Sequence, residues 1–264
     1  MKEEQEQKKV LGIVLSGGAA RGFAHLGALQ ALEDNGIIAD CISGASMGAV
    51  LGSIYASGRS PKEIVKFAKT LNYRRMYRPS LKGGLFKASF LRAMLEKLLK
   101  VDTFEKLKKP MFVVATNLNR GTSETFCSGK IIDKVIASAS IPVFFPPVVI
   151  DGNTYVDGGV SNNLPTEPLF CVCTHIIGIS VNSVSEWGQE RLEGWEYFKR
   201  VMTMIVVNTE KRRKPKCHHF IEIKEAGNIG LMDFHKVEEF YKIGYEAVNS
   251  YIKQHPAMLD ELAS

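Results

Sequence analysis

The 264-residue chain has no long hydrophobic run. Its longest apolar stretches, such as Val10 to Leu15, fall far short of the roughly 18 residues a helix needs to span a bilayer. The first nine residues are charged and polar and no apolar segment of leader type follows, so no secretory leader is expected. Cysteine is sparse. The five residues Cys41, Cys127, Cys171, Cys173 and Cys217 are odd in number and too few for a disulfide framework. That usage points to a reducing compartment and a cytoplasmic protein. Cys171 and Cys173 have no second Cys or His pair beside them, so no metal site is expected. Repeats and low-complexity linkers are absent. No G-K-[ST] phosphate loop occurs. A dinucleotide fingerprint fails as well. Ala19 stands where G-x-G-x-x-G needs glycine, and Asp40 precedes the second strand instead of following it.

What is present is an ordinary globular composition, 45% hydrophobic and 23% charged, with a net charge of +6. The charge suits an anionic surface of lipid or nucleic acid, or plain solubility. Short apolar runs alternate with segments of helical period. Val10–Leu15 reads as a buried strand, followed by a Gly-rich turn and a helix from about Phe23 to Asn35, where Phe23, Leu26, Leu29 and Leu32 recur. Cys41–Ile42 reads as a very short strand before Gly44–Gly48 and a helix to Ser57. Ser60, Pro61 and Glu63 form a capping box opening the next helix. Tyr73–Phe86 reads as a basic loop, Phe90–Leu99 as an amphipathic helix, and Met111–Thr116 as a strand. Asp151-Gly152-Asn153 marks a hairpin between Phe145–Ile150 and Thr154–Val156. A strand at Ile176–Val181, a helix at Trp195–Val207, a strand at Phe220–Ile223 and a helix at Lys236–Ile252 close the chain. The pattern predicts an α/β fold of three layers, with a largely parallel central sheet flanked by helices. Residues 1–9 form a charged tail. One domain is expected over 10–264, with a motif-bearing core at 10–182 and a helical, basic part at 183–264.

Three segments carry chemistry. Gly44-Ala45-Ser46-Met47-Gly48 matches G-x-S-x-G, between a strand and a helix, where two glycines permit the sharp turn that exposes a serine hydroxyl. Its bland alternative is a Gly/Ser helix cap. Asp157-Gly158-Gly159 places a carboxylate before two residues that let the backbone turn away, although a lone D-G-G is better read as a hairpin turn. Ser16-Gly17-Gly18-Ala19-Ala20-Arg21-Gly22 leaves backbone N–H groups bare enough to converge on an oxyanion or a phosphate. His175, His218, His219, His235 and His255 all follow Asp157, so chain order leaves a Ser-His-Asp triad open. None lies in a Gly-flanked loop, and each is read as structural. His25 falls on the first helix.

Taken together, Gly17-Gly18-Ala19-Ala20-Arg21-Gly22, Gly44-Ala45-Ser46-Met47-Gly48 and Asp157 through Pro165 resemble the patatin-like phospholipase family. Ala137-Ser138-Ala139-Ser140-Ile141-Pro142 is similar too. The likeness runs from about residue 10 to 182, and Ala19 departs from it where a third glycine is usual. A methyl there is tolerable unless the backbone needs a positive φ. The resemblance implies a Ser46–Asp157 dyad and an acyl-enzyme intermediate, with the oxyanion held by N–H groups around Gly17, Gly18 and Ala19. Arg21, Gly22, Gly44, Gly48, Gly158 and Gly159 would support these motifs. Arg21 would steady its loop, attract an anionic headgroup, or form an ordinary ion pair. The implied activity is hydrolysis of acyl esters of lipids, of phospholipase or lysophospholipase type, without a cofactor.

Substrate and partners are less legible. Leu85, Phe86, Phe90, Leu91, Met94, Leu95 and Leu98 form an apolar stripe, suited to a lipid groove or to core packing. Arg74, Arg75, Arg78 and Lys82 beside Tyr73 and Tyr77, and the run Lys211 to Lys214, would touch anionic lipid or simply face solvent. The alternatives are a soluble esterase or thioesterase and a non-catalytic protein binding an anionic surface. Nucleic acid is not expected, because no reading motif accompanies the basic clusters.

Overall fold

A computed structural model describes residues 9–73, 89–184, 186, 188, 191 and 193–263. The Tyr73–Phe86 basic loop, apart from Tyr73, and the tail 1–8 lie outside the described residues. Strand β1 (Leu11–Leu15) is buried at all five positions, as its unbroken apolar run requires. It pairs in parallel with β2 (Cys41–Ala45) and with β7 (His175–Ser180). β3 (Met111–Asn117) pairs in parallel with β2, and β8 (His219–Glu222) with β7. β4 (Thr122–Phe126) and β6 (Asn153–Val156) run antiparallel to β3, and β5 (Val148–Ile150) runs antiparallel to β6. The sheet order is β5-β6-β3-β2-β1-β7-β8, with β4 also on β3. The expected α/β architecture with a mostly parallel sheet is what folds.

The helices α1 (Ala24–Asp34), α2 (Met47–Ala56), α5 (Ile132–Ser138) and α7 (Val237–Gln254) bury one face of the sheet in a large core. A smaller cluster around Val14, Cys41, Leu164, Leu169 and Ile176 covers the opposite face. α3 (Pro61–Lys69) opens with the expected capping box, closed from both sides by Ser60 and Glu63. α4 (Ser89–Leu99), α6 (Gly194–Lys211) and α8 (Ala257–Leu262) complete the helices among the described residues. α1 and α7 cross closely at reciprocal glycines. A Cβ on Gly27 would stand 1.8 Å from the Tyr241 carbonyl oxygen, and one on Gly244 would stand 1.9 Å from that of Ala24. The Asp151-Gly152 turn has φ of 48° and 78°, the positive pair a tight hairpin needs.

Two boundaries matter for the site. β2 extends to Ala45, beyond the two residues expected, because Gly44 continues the ladder opposite Leu15 and Val113. The first helix begins at Ala24 and is preceded by a 3-10 turn at Ala19–Phe23. Among the described residues no helix is long and apolar enough to cross a membrane.

Candidate active site

Register alone brings Ser46 and Asp157 together. Ala45 pairs with Val114 in the parallel direction, and Val156 pairs with Thr116 in the antiparallel one. The next residue on each strand, Ser46 or Asp157, therefore arrives level with Ala115 from opposite sides. Ser46 Oγ donates to Asp157 Oδ2 at 2.6 Å. Both residues are 5% exposed.

The backbone at Ser46 has φ 53° and ψ −124°, an unfavourable region for a residue with a Cβ. Close packing forces it there. A Cβ on Gly48 would lie 2.2 Å from the Leu15 carbonyl oxygen, and one on Gly44 would lie 2.6 Å from the Gly48 carbonyl carbon. Only glycine lets α2 start so near the ends of β1 and β2, and the turn then lifts Ser46 above the sheet edge. The Ala137–Pro142 segment braces the result. Ser46 N–H donates to Ser138 Oγ at 3.0 Å, Ser138 Oγ donates to the Val114 carbonyl, and Asp157 N–H donates to the Ser140 carbonyl at 2.9 Å.

Asp157 Oδ1 accepts from the Gly159 N–H at 2.7 Å, which is what the glycine pair after the acid provides. Burial pushes the Asp157 carboxyl up to about 6, against the opposing pull of the Ser46 and Gly159 hydrogen bonds. It is thus a stronger base than an ordinary aspartate, yet still largely ionised near neutral pH.

No described histidine touches either residue. His25 is buried beneath the Gly-rich loop, with Nε2 2.8 Å from the Ser16 carbonyl oxygen, and burial lowers its pKa to about 4. His175 and His219 open β7 and β8, at the sheet edge away from Ser46, and both face Glu261. His218 accepts from the Ile176 N–H, His255 stacks on Tyr251, and His235 is exposed.

The Gly-rich loop departs from expectation at Gly17 and carries strain at Ala19. Gly17 N–H donates to the Asn163 carbonyl at 3.2 Å, so it is not available to a ligand. Gly18 and Ala19 keep N–H groups with no partner among the described residues, and both residues line a cavity with Ser46. Ala19 has φ 49°, so its methyl does sit in the left-handed region and carries strain. Arg21 reaches neither the cavity nor a carboxylate. Its buried guanidinium donates to the carbonyls of Ile229 at 3.0 Å and Gly227 at 2.9 Å, fastening the segment before α7. Gly22 packs against Met47 in the 3-10 turn.

Behind the loop lies a polar cluster that sequence reasoning missed. Glu210, on α6, is 4% exposed. Its Oε1 accepts from Asn163 Nδ2 at 2.5 Å and Asn182 Nδ2 at 2.8 Å, and its Oε2 accepts from Ser180 Oγ at 2.5 Å. Burial raises its pKa to about 7. The available signal was helical spacing. Thr203, Val206 and Glu210 share one face of α6, and the first two line the cavity.

Ser46 stands between two cavities. One is walled almost wholly by apolar side chains, among them Phe23, Val50, Tyr73, Phe90, Leu91, Met94, Phe144, Phe145 and Phe234. The Tyr73 hydroxyl is turned away to the Ala68 carbonyl, and its ring stacks on Phe234. The other adds Asp157, Asn163, Asn182 and Thr203 to Met202, Val206 and Leu231. The apolar stripe on α4 is divided. Phe90, Leu91 and Met94 face the first cavity, Leu95 and Leu98 join the core, and Leu85 and Phe86 lie outside the described residues.

The model for patatin-like phospholipases matches residues 13–170, more than half of the chain. The chain belongs to the patatin-like phospholipase family. An uncharacterized NTE family protein of Mycobacterium tuberculosis is 35% identical over 69% of this chain and 51% of its own length. A lysophospholipase of Emericella nidulans is 26% identical over 93% of this chain and 18% of its own length. The human patatin-like phospholipase domain-containing protein 6 is likewise 26% identical, over 89% of this chain and 20% of its own. The chain thus spans about half the mycobacterial relative and about a fifth of the others. VipD from Legionella pneumophila shares the patatin-like fold, with a TM-score of 0.60 over 94% of this chain and 67% of its own, at 16% identity.

Proposed function

We propose that the chain is a serine hydrolase that cleaves acyl esters of lipids, with Ser46 as nucleophile and Asp157 as its direct base. The observation that carries this is the 2.6 Å contact between Ser46 Oγ and Asp157 Oδ2 at the junction of the two cavities. Ser46 Oγ attacks the ester carbonyl carbon as its proton passes to Asp157 Oδ2. The carbonyl oxygen becomes an oxyanion facing the Gly18 and Ala19 N–H groups. Collapse expels the alcohol, which takes the proton back from Asp157 and leaves an acyl-Ser46 ester. Water then repeats the sequence and releases the acid.

The apolar cavity favours a hydrocarbon acyl chain over a short or carrier-bound one, because its walls offer almost no polar partner. The mixed cavity takes the leaving alcohol. The name of the fungal relative, a lysophospholipase, accords with this assignment. Exposed Lys211, Arg212 and Lys214 at the end of α6 would add peripheral contact with anionic lipid, at about 1 kcal/mol each. A panel of p-nitrophenyl esters from acetate to palmitate, followed by lysophospholipid and phospholipid vesicles, tests the reading on wild type and Ser46→Ala. Hydrolysis that favours longer chains and vanishes in the variant is expected. A folded Ser46→Ala protein with wild-type turnover would refute it.

A further inference from the structure

We infer that Glu210 is a positioning residue for ester hydrolysis, fixing the Gly17–Gly18 peptide so that the Gly18 N–H faces the reacting carbonyl. The inference rests on the proposed hydrolase reading and extends it to a residue outside the three motifs.

The carbonyl of Gly17 and the N–H of Gly18 belong to the same trans peptide, so they point in opposite directions. Two side-chain amides hold the carbonyl: Asn182 Nδ2 at 2.6 Å and Asn163 Nδ2 at 3.2 Å. The Gly17 N–H is held as well, by the Asn163 backbone carbonyl. The plane therefore cannot rotate without breaking both carbonyl hydrogen bonds, and the Gly17 N–H bond anchors the neighbouring Ser16–Gly17 peptide. At its other end the Gly18 N–H makes no hydrogen bond among the described residues, and Gly18 lines the cavity together with Ser46 and Asp157.

Glu210 orients both amides. Each Asn carries two N–H donors and one oxygen, and nothing in an isolated amide fixes which end meets the Gly17 carbonyl. Glu210 Oε1 accepts from both amides, so it selects the N–H end of Asn163 and of Asn182 at once. Ser180 Oγ occupies the second carboxylate oxygen and holds the side chain in place. Hydrogen bonds in such a chain polarise one another, so a carbonyl engaged from behind also makes Gly18 N–H a better donor. The cluster lies in the buried interior, where an unmade bond is expensive and the arrangement is correspondingly stiff.

The test measures kcat and KM on p-nitrophenyl butyrate for wild type, Glu210→Ala and Glu210→Gln, with unfolding temperature measured alongside. Removing one oxyanion donor outright costs roughly 100- to 1000-fold in kcat, so misdirecting one should cost Glu210→Ala about tenfold or more with KM nearly unchanged. Glutamine keeps one oxygen for both amides and can donate to Ser180 Oγ. It should recover most of the loss, to within about threefold of wild type. If Glu210→Ala does not fold, Asn182→Ala carries the same expectation, because it removes one donor from the Gly17 carbonyl. Wild-type kcat in a folded alanine variant overturns the inference. So do equal losses in the alanine and glutamine variants, or a loss confined to KM. If wild type hydrolyses no ester and Ser46 takes no fluorophosphonate, the hydrolase reading falls and this inference with it. Labelling and turnover by wild type with an indifferent Glu210 would sink only the inference.

Discussion

Replacing Asp157 with asparagine should remove activity and raise stability together, and the size of the gain should depend on pH. Asp157 is buried, and burial outweighs its two hydrogen bonds, pushing its pKa from 3.8 to about 6. In the unfolded chain the same group titrates near its ordinary value, so between about pH 4 and 6 the folded state binds more protons than the unfolded one. Stability from this group therefore falls as pH rises through that window and levels off above it. The rise in pKa corresponds to roughly 3 kcal/mol at about 1.36 kcal/mol per pH unit, an order-of-magnitude figure. A neutral asparagine side chain would not carry that cost. Its oxygen can keep the Gly159 N–H, which turns its NH2 toward Ser46 and leaves no base to receive the proton. Hydrolysis should drop by about 100-fold or more. Urea unfolding of wild type and Asp157→Asn at pH 4 and pH 8 measures the effect. Titrations of Glu210 and His25 are common to both proteins and largely cancel. The variant should gain on wild type by roughly 1–3 kcal/mol more at pH 8 than at pH 4. An equal difference at both pH values, or a smaller one at pH 8, would refute the claim that burial destabilises this carboxylate.

Ser46→Gly should abolish turnover and unfold at a higher temperature than Ser46→Ala, since both lose the hydroxyl but only glycine relieves the φ 53° backbone, by about 1 kcal/mol or more. A lower unfolding temperature than that of Ser46→Ala would mean the elbow is not strained. Gly27→Ala adds helix propensity worth under about 1 kcal/mol but sets a methyl 1.8 Å from the Tyr241 carbonyl. The clash should win, with a net loss of about 1–3 kcal/mol by denaturant unfolding. Met94→Trp should fill part of the apolar cavity and shorten the preferred acyl chain. Its ratio of butyrate to palmitate ester hydrolysis should rise about tenfold, and an unchanged ratio would place the acyl chain elsewhere.

Much of this was legible from local pattern. The Val10–Leu15 run, the Ser60 capping box and the Asp151-Gly152 turn each state their own structure, because burial, capping and positive φ demand particular residues at particular spacings. Ser46 and Asp157 were candidates on a different ground, because each glycine setting alone reads equally or better as a plain turn and only the order of three motifs, shared with a family, singled them out. Their mutual distance was not legible, because it depends on the register of β2 and β6 against β3. The Gly17 N–H looked as free as its neighbours until the chain folded Asn163 against it. Arg21 was open to steadying its loop, attracting an anionic headgroup or pairing with a carboxylate, and its two bonds to carbonyls more than 200 residues away fit the first of these. Glu210 sits in a run of charged residues, Glu210 to Arg213, and nothing in that run distinguishes it from a solvated one. Only the face it shares with Thr203 and Val206 turns it inward.

The central claim is that Ser46 is an activated nucleophile whose proton goes to Asp157 without a histidine. The most direct measurement is mass spectrometry of peptides from protein treated with an alkyl fluorophosphonate. Wild type should carry one phosphonyl adduct on the Ser46 peptide. Ser46→Ala should carry none, and Asp157→Asn should react at least about 100-fold more slowly. Wild-type labelling on another serine, or undiminished labelling of Ser46 in Asp157→Asn, would contradict the account.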